Sequence, residues 1–132
     1  MEVIDKLAWM YIRDRKALFV RTRGKDAFYS PGGQREAGET DEQALIREIK
    51  EELSVDLVPE TIKYAHMFTA QAHGKPEGVM VEIKYYTGDF AGELQASSEI
   101  EELAYFQSSD AHKTSATGIL FLQWLREQHV ID

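Results

Sequence analysis

Hydrophobic and polar positions change period several times along the chain, and each change marks an element. Residues 5–12 and 17–23 read as two strands around a turn at Arg13-Asp14-Arg15-Lys16. In the second strand Phe19, Arg21 and Arg23 share one face, while Leu18, Val20 and Thr22 share the other. Gly24-Lys25-Asp26 is a turn, and Ala27–Ser30 is a short strand running to Pro31. Leu45, Ile46, Ile49 and Leu53 then repeat at helical spacing and predict an amphipathic helix with that stripe facing the core. Its start is marked by Thr40 and Gln43, a capping box, with Asp41 and Glu42 suited to the positive first turn. Its end is expected near Leu53 or Ser54.

Val55–Val58 is a short extended piece ending at Pro59. Residues 61–72 and 79–89 form a long hairpin across Gly74–Gly78, with Val79, Val81, Ile83 and Tyr85 facing inward. Residues 88–102 read as an acidic loop, and Leu103–Phe106 as the strand after it. Ile119, Leu120, Leu122, Trp124 and Leu125 predict a last helix from about 115 to 128, packed on the sheet opposite the first. This order of elements implies an α/β fold, an α/β/α sandwich with a mixed sheet.

Length and charge narrow the function. A chain of 132 residues fits one domain, 1–132, able to bury a real core. A formal net charge of −8 argues against a nucleic-acid polymer or an anionic membrane as partner, and it requires local cations for any anionic substrate. The absence of cysteine excludes disulfides, thiol catalysis and cysteine-based zinc sites. No signal peptide or membrane-length apolar run is present, so cytoplasm is the default location. His66, His73, His112 and His129 lack metal-ligand spacing.

The chemistry concentrates in one stretch. Arg47, Glu48, Glu51 and Glu52 fall within an arc of about 140° on the first helix. Like charges such as Glu48 and Glu52 at i,i+4 cost a helix roughly 0.2–0.5 kcal/mol. A solvated face with Arg47 paired to Glu51 is one account of them. A hard divalent cation, Mg²⁺ or Mn²⁺, drawing the oxygen ligands together is the other. The glycine pair Gly32-Gly33 ahead of the helix favours the second, because it leaves backbone open to close approach within reach of that face.

Gly33, Glu39, Arg47, Glu48, Ile49, Glu51, Glu52 and Val55 stand at the spacing of the Nudix hydrolase motif, and the stretch 33–55 resembles that family. The one departure is Ser54, where the motif has glycine; it stands at a structural position, the helix exit. The resemblance, to small single-domain MutT-like members, implies the α/β/α sandwich and metal-dependent hydrolysis of a diphosphate bond in a nucleoside diphosphate linked to another group. A nucleotide-binding module without catalysis is the alternative. It implies Glu48 and Glu52 as main metal ligands with the Gly33 carbonyl, Glu51 as ligand or base, Arg47 as the residue orienting the glutamates, and Glu39 as support. A further glutamate, ligand or base, is implied from the loop before the later strand, with Glu99 favoured and Glu102 second. Arg23, then Arg21, are the candidates for substrate phosphate, and Phe28 or Tyr29 for a base or sugar. The substrate is thus expected to be a small nucleotide-type molecule, and the protein a monomer or homodimer. Members that remove oxidised purine nucleotides often read the base with asparagine. This chain has none, which weakens that role and leaves Asp110 as a possible substitute.

Overall fold

The computed structural model describes residues 2–132. Strands β1 (Val3–Trp9), β2 (Ile12–Arg13), β3 (Lys16–Thr22) and β4 (Gly32–Gly33) precede helix α1 (Asp41–Leu53). Then follow β5 (Asp56–Leu57), β6 (Lys63–Gln71), β7 (Met80–Thr87), β8 (Phe90–Ala91), β9 (Ile100–Phe106) and helix α2 (Ala116–Glu127), with 3-10 turns at Pro59–Thr61 and Ser108–Lys113. One sheet has the order β4-β1-β7-β6, a second β2-β3-β9, and β5 pairs with β8. Strands β1 and β7 run parallel and the other pairs antiparallel, so the first sheet is mixed, as expected. No helix among the described residues is long and apolar enough to cross a membrane.

The helices lie on opposite sides of the strands. Leu7 and Trp9 of β1 and Leu18 and Val20 of β3 join the core around Ala44, Leu45, Ile49 and Leu53 of α1. Ala8, Ala17 and Phe19 join the core around Phe121, Leu122 and Leu125 of α2. Alternation along each strand thus feeds two separate cores. On α1 the buried set is Ala44, Leu45, Ile49 and Leu53, whereas Ile46 is only half-buried.

Several boundaries differ from the sequence reading: residues 27–30, read as a strand, make only the isolated bridges Val20–Tyr29 and Phe28–Thr114, and β8 lies inside the stretch 88–102 read as a loop. The strand read over 5–12 is two strands in two sheets. The Met10 N–H is given to the Tyr86 carbonyl of the first sheet, whereas the Tyr11 carbonyl accepts from Leu18 of the second. The turn after it is Asp14-Arg15 alone, with φ of 52° and 60°, the two-residue geometry that matches strand twist. Strand β9 starts at Ile100 rather than Leu103, so Glu101 and Glu102 belong to it.

Helix α1 follows its local signals. Thr40 Oγ1 accepts from Gln43 N at 3.1 Å and Gln43 Oε1 accepts from Thr40 N at 2.9 Å. Ser54 takes the left-handed exit, φ 62° and ψ 26°, its N–H on the Lys50 carbonyl.

Candidate active site

The two glycines of β4 decide which α1 side chains can reach the strands. A Cβ on Gly32 would lie 2.0 Å from the Leu7 carbonyl oxygen, and one on Gly33 would lie 2.5 Å from the Glu48 carboxylate. Without those carbons, Glu48 packs against the Gly33 backbone. Glu52 Oε1 accepts the Gly32 N–H at 3.0 Å. Burial pushes the Glu52 carboxyl up to about 8; the Gly32 N–H opposes this, while Glu48, Glu99 and Glu51 add to it. Burial likewise raises Glu48, against the pull of Arg47.

Arg47 holds the other side of the cluster. Its Nε and one terminal nitrogen donate to the two oxygens of Glu39 at 2.7 and 2.9 Å, a bidentate pair. The remaining donors reach Glu48 at 2.9 Å, Glu51 at 3.5 Å and the Gln34 carbonyl at 3.1 Å. Glu39 is held down to about 2, chiefly by Arg47 and then by the Glu36 N–H. One guanidinium therefore ties the loop ahead of α1 to two helical carboxylates. Arg35, between Asp5 of β1 and Asp41 at the start of α1, anchors the same loop from its other side. Asp41 also accepts from the Tyr86 hydroxyl at 2.5 Å.

The loop carrying Glu99 is not the open acidic loop read from sequence. Gln95 and Ser97 donate their N–H groups to the Leu53 and Glu52 carbonyls, both at 3.0 Å, capping the end of α1. The Glu99 carbonyl accepts from Arg23 N at 2.8 Å. This brings Glu99 to the cavity that Glu48 and Glu52 line. Glu102 lies apart, bonded to Arg21 Nε at 2.8 Å.

That cavity has a volume of about 570 Å³ and runs from Gly32, Gly33 and the three glutamates to Tyr29, Ser30, Thr22 and the hairpin tip at Ala72, His73 and Lys75. Of the residues singled out from sequence, Gly33, Tyr29, Glu48, Glu52 and Glu99 line it. Arg47, Glu51, Arg21, Arg23, Phe28 and Asp110 lie outside its lining. Arg21 is taken by Glu102 and, at 3.9 Å, by Glu101; Arg23 is exposed. Phe28 packs edge-on against Phe106 in the α2 core. Asp110 is engaged by Lys113 at 3.0 Å. Sequence reasoning passed over Lys6, Lys25 and Lys75 and set His73 aside for want of metal-ligand spacing, yet all of them line the cavity. Lys6 carried a signal: a lone charge between Ile4 and Ala8 on one face of β1.

The donor chemistry suits a hard divalent cation, since carboxylates and a bare glycine backbone offer only oxygen acceptors to it. Among the described residues no three His, Asp or Glu side chains converge as a finished metal cage. Arg47 and the Gly32 N–H engage Glu48 and Glu52 instead. A cation at this point would offset the neighbouring carboxylates that, after burial, raise Glu52.

Known proteins resemble this chain in sequence and fold. A family model described as the NUDIX domain matches residues 6–125. An ADP-ribose pyrophosphatase of Methanocaldococcus jannaschii is 31% identical over 104 residues, which cover 76% of this chain and 60% of the relative. The chain therefore spans about 60% of the length of that curated relative. Among solved structures, the E. coli ORF135 protein superposes with a TM-score of 0.76 at 25% identity, covering 98% of this chain and 92% of that one. A MutT NUDIX hydrolase from Burkholderia pseudomallei gives 0.76 at 20% identity, covering 93% and 98%. With the motif residues on α1 and the match extending over nearly the whole chain, this protein belongs to the NUDIX family.

Proposed function

We propose that the protein is a divalent-cation-dependent hydrolase of the diphosphate bond in a nucleoside diphosphate linked to another moiety. The observation that carries this reading is the convergence of Glu48, Glu52 and Glu99, from two separate segments, on one cavity bounded by the Gly32-Gly33 backbone. Glu48, Glu52 and Glu99, with the Gly33 carbonyl, are the residues to hold Mg²⁺ or Mn²⁺, with Glu51 as a further ligand or base. A cation there offsets phosphate charge and makes water more acidic.

The chain's own residues do the rest. Arg47, pinned by Glu39, keeps Glu48 and Glu51 turned along one side of the helix. Glu99, on the segment that caps α1, would take a proton from the attacking water. The water oxygen bonds to one phosphorus, and the bridging oxygen leaves with the other phosphate. Tyr29 offers a face to the sugar or base.

ADP-ribose is the first substrate to test, because the pyrophosphatase relative is named for it. The experiment is a hydrolysis panel of ADP-ribose, nucleotide sugars, dinucleoside polyphosphates and nucleoside triphosphates with Mg²⁺ or Mn²⁺. The expected result is cleavage of ADP-ribose to AMP and ribose 5-phosphate that stops in EDTA. Binding of nucleotides without turnover of any of them would support a sensing module instead.

A further inference from the structure

The cavity contains a cation with which, among the described residues, no carboxylate pairs. Lys6 stands on β1 between two hydrogen-bonded neighbours, β4 and β7, so its backbone is rigidly placed. Its half-buried side chain lines the cavity, with the ammonium 5.8 Å from the centre of the Tyr29 ring. Burial lowers its pKa, and the fields of Glu52 and Glu48 only partly offset that, while Lys75 adds to the lowering. Among the described residues no carboxylate closes to an ion pair with it. A desolvated cation without a close partner is unfavourable until an anion arrives.

The arginines are disposed differently. Arg21 is occupied by Glu102 and Arg23 is exposed outside the lining. Lys25 and Lys75 also line the cavity, but both sit on exposed turns. Only Lys6 combines a fixed strand position with closeness to the carboxylate cluster.

We propose that Lys6 forms the phosphate-binding subsite of this cavity, its ammonium donating to a non-bridging oxygen of the substrate's diphosphate while Tyr29 packs beside it. This deepens, and rests on, the reading of the cavity as a nucleotide-diphosphate site. It assigns the contact to β1 rather than to Arg21 of β3 or Arg23 just beyond it. The partner chemistry is a phosphate oxyanion, with no demand on the base.

The test is calorimetric titration, with Mg²⁺ present, of α,β-methylene-ADP and of methylenediphosphonate, whose P–C–P bridges resist hydrolysis. Wild type is compared with Lys6→Met, Lys6→Arg and Lys63→Met, the last removing an exposed charge on β6. Lys6→Met should weaken both ligands by about tenfold or more, the scale of a hydrogen bond from a charged group. Lys6→Arg should recover most of that, and Lys63→Met should match wild type. With ADP-ribose turning over, Lys6→Met should raise KM by a similar factor and leave kcat within about threefold, as lost uniform binding does. Thermal melts check that each variant is folded.

Equal affinities of Lys6→Met and wild type would overturn the assignment. So would weakening of the nucleotide analogue alone, or failure of wild type to bind methylenediphosphonate. A protein that binds both analogues through Lys6 yet hydrolyses no nucleotide overturns the hydrolase reading and supports the subsite.

Discussion

Glu39 and Glu52 sit at opposite ends of the same motif, and their surroundings push them in opposite directions. Glu39 meets Arg47 through two parallel hydrogen bonds and is held down to about 2. Glu52 accepts the Gly32 N–H, is half-buried, and is pushed up to about 8 by desolvation, with Glu48, Glu99 and Glu51 adding to the rise. The chemistry of the two side chains is identical, so the difference belongs to the surroundings. One carboxylate is a strut that fixes an arginine. The other is an uncompensated acceptor beside a cavity, the state in which a cation gains most by binding.

Removing the uncompensated carboxylate should have the largest effect. Glu52→Gln is expected to lower Mg²⁺-dependent hydrolysis of ADP-ribose by about 10³-fold, inside the 10²–10⁴ range of a positioned group. Its melting temperature in EDTA should not fall, because a neutral amide replaces a carboxyl whose ionisation is opposed by burial and by Glu48, Glu99 and Glu51. Turnover close to wild type would remove the distinction between strut and acceptor.

The third cavity glutamate sharpens the comparison. Glu99→Gln should lower turnover by about 10²-fold, while Glu102→Gln, which loses only the Arg21 pair, should change it little. Steady-state rates of the two variants side by side decide it. A large loss in Glu102→Gln alone would mean that the register of β3 with β9 assigns the wrong carboxylate to the cavity.

Stability against pH reads the two environments directly. Glu52 folds with a pKa near 8, above the roughly 4.3 of an unfolded glutamate. Between those values the unfolded chain has lost a proton that the folded protein keeps, so metal-free stability falls as pH rises through the window and levels off above about 8. Glu39 lies below its unfolded value. Its contribution is present above about 4.3 and is lost as pH falls toward 2. Melts in EDTA from pH 2 to 9 should therefore lose part of the upper slope in Glu52→Gln, with Glu48 supplying a remainder, and part of the lower slope in Glu39→Gln. An upper slope unchanged by Glu52→Gln would place its proton elsewhere.

The smallest effect concerns the helix end that carries Glu52. Ser54 holds φ 62°, which a non-glycine residue adopts at a cost of roughly 1–2 kcal/mol. Ser54→Gly should raise stability by up to about that amount in a denaturant titration, with hydrolysis unaltered.

Helix α1 was legible in the chain because its determinants are its own neighbours. Thr40 and Gln43 cap each other across three residues, the apolar stripe repeats every turn, and the Ser54 exit bonds back to Lys50. The β6–β7 hairpin was legible for the same reason, and motif spacing alone singles out Glu48, Glu51 and Glu52. The break after Trp9 was not legible, since residues 5–12 carry strand character throughout and only pairing with distant partners assigns them to two sheets.

What tertiary structure alone decided is where each charge faces and what it meets. A register shift between Arg21 and Thr22 pairs Glu102 with Arg21 and Thr22 with Ile100. The N–H groups of Gln95 and Ser97 on the end of α1 bring Glu99 to the cavity. The raised Glu52 carboxyl and the lowered Lys6 ammonium both depend first on burial, which the assembled fold sets. Covalent order can specify that a carboxylate sits on a helical face. The free energy of its charge is set by everything that excludes water around it, and that is a property of the assembled fold.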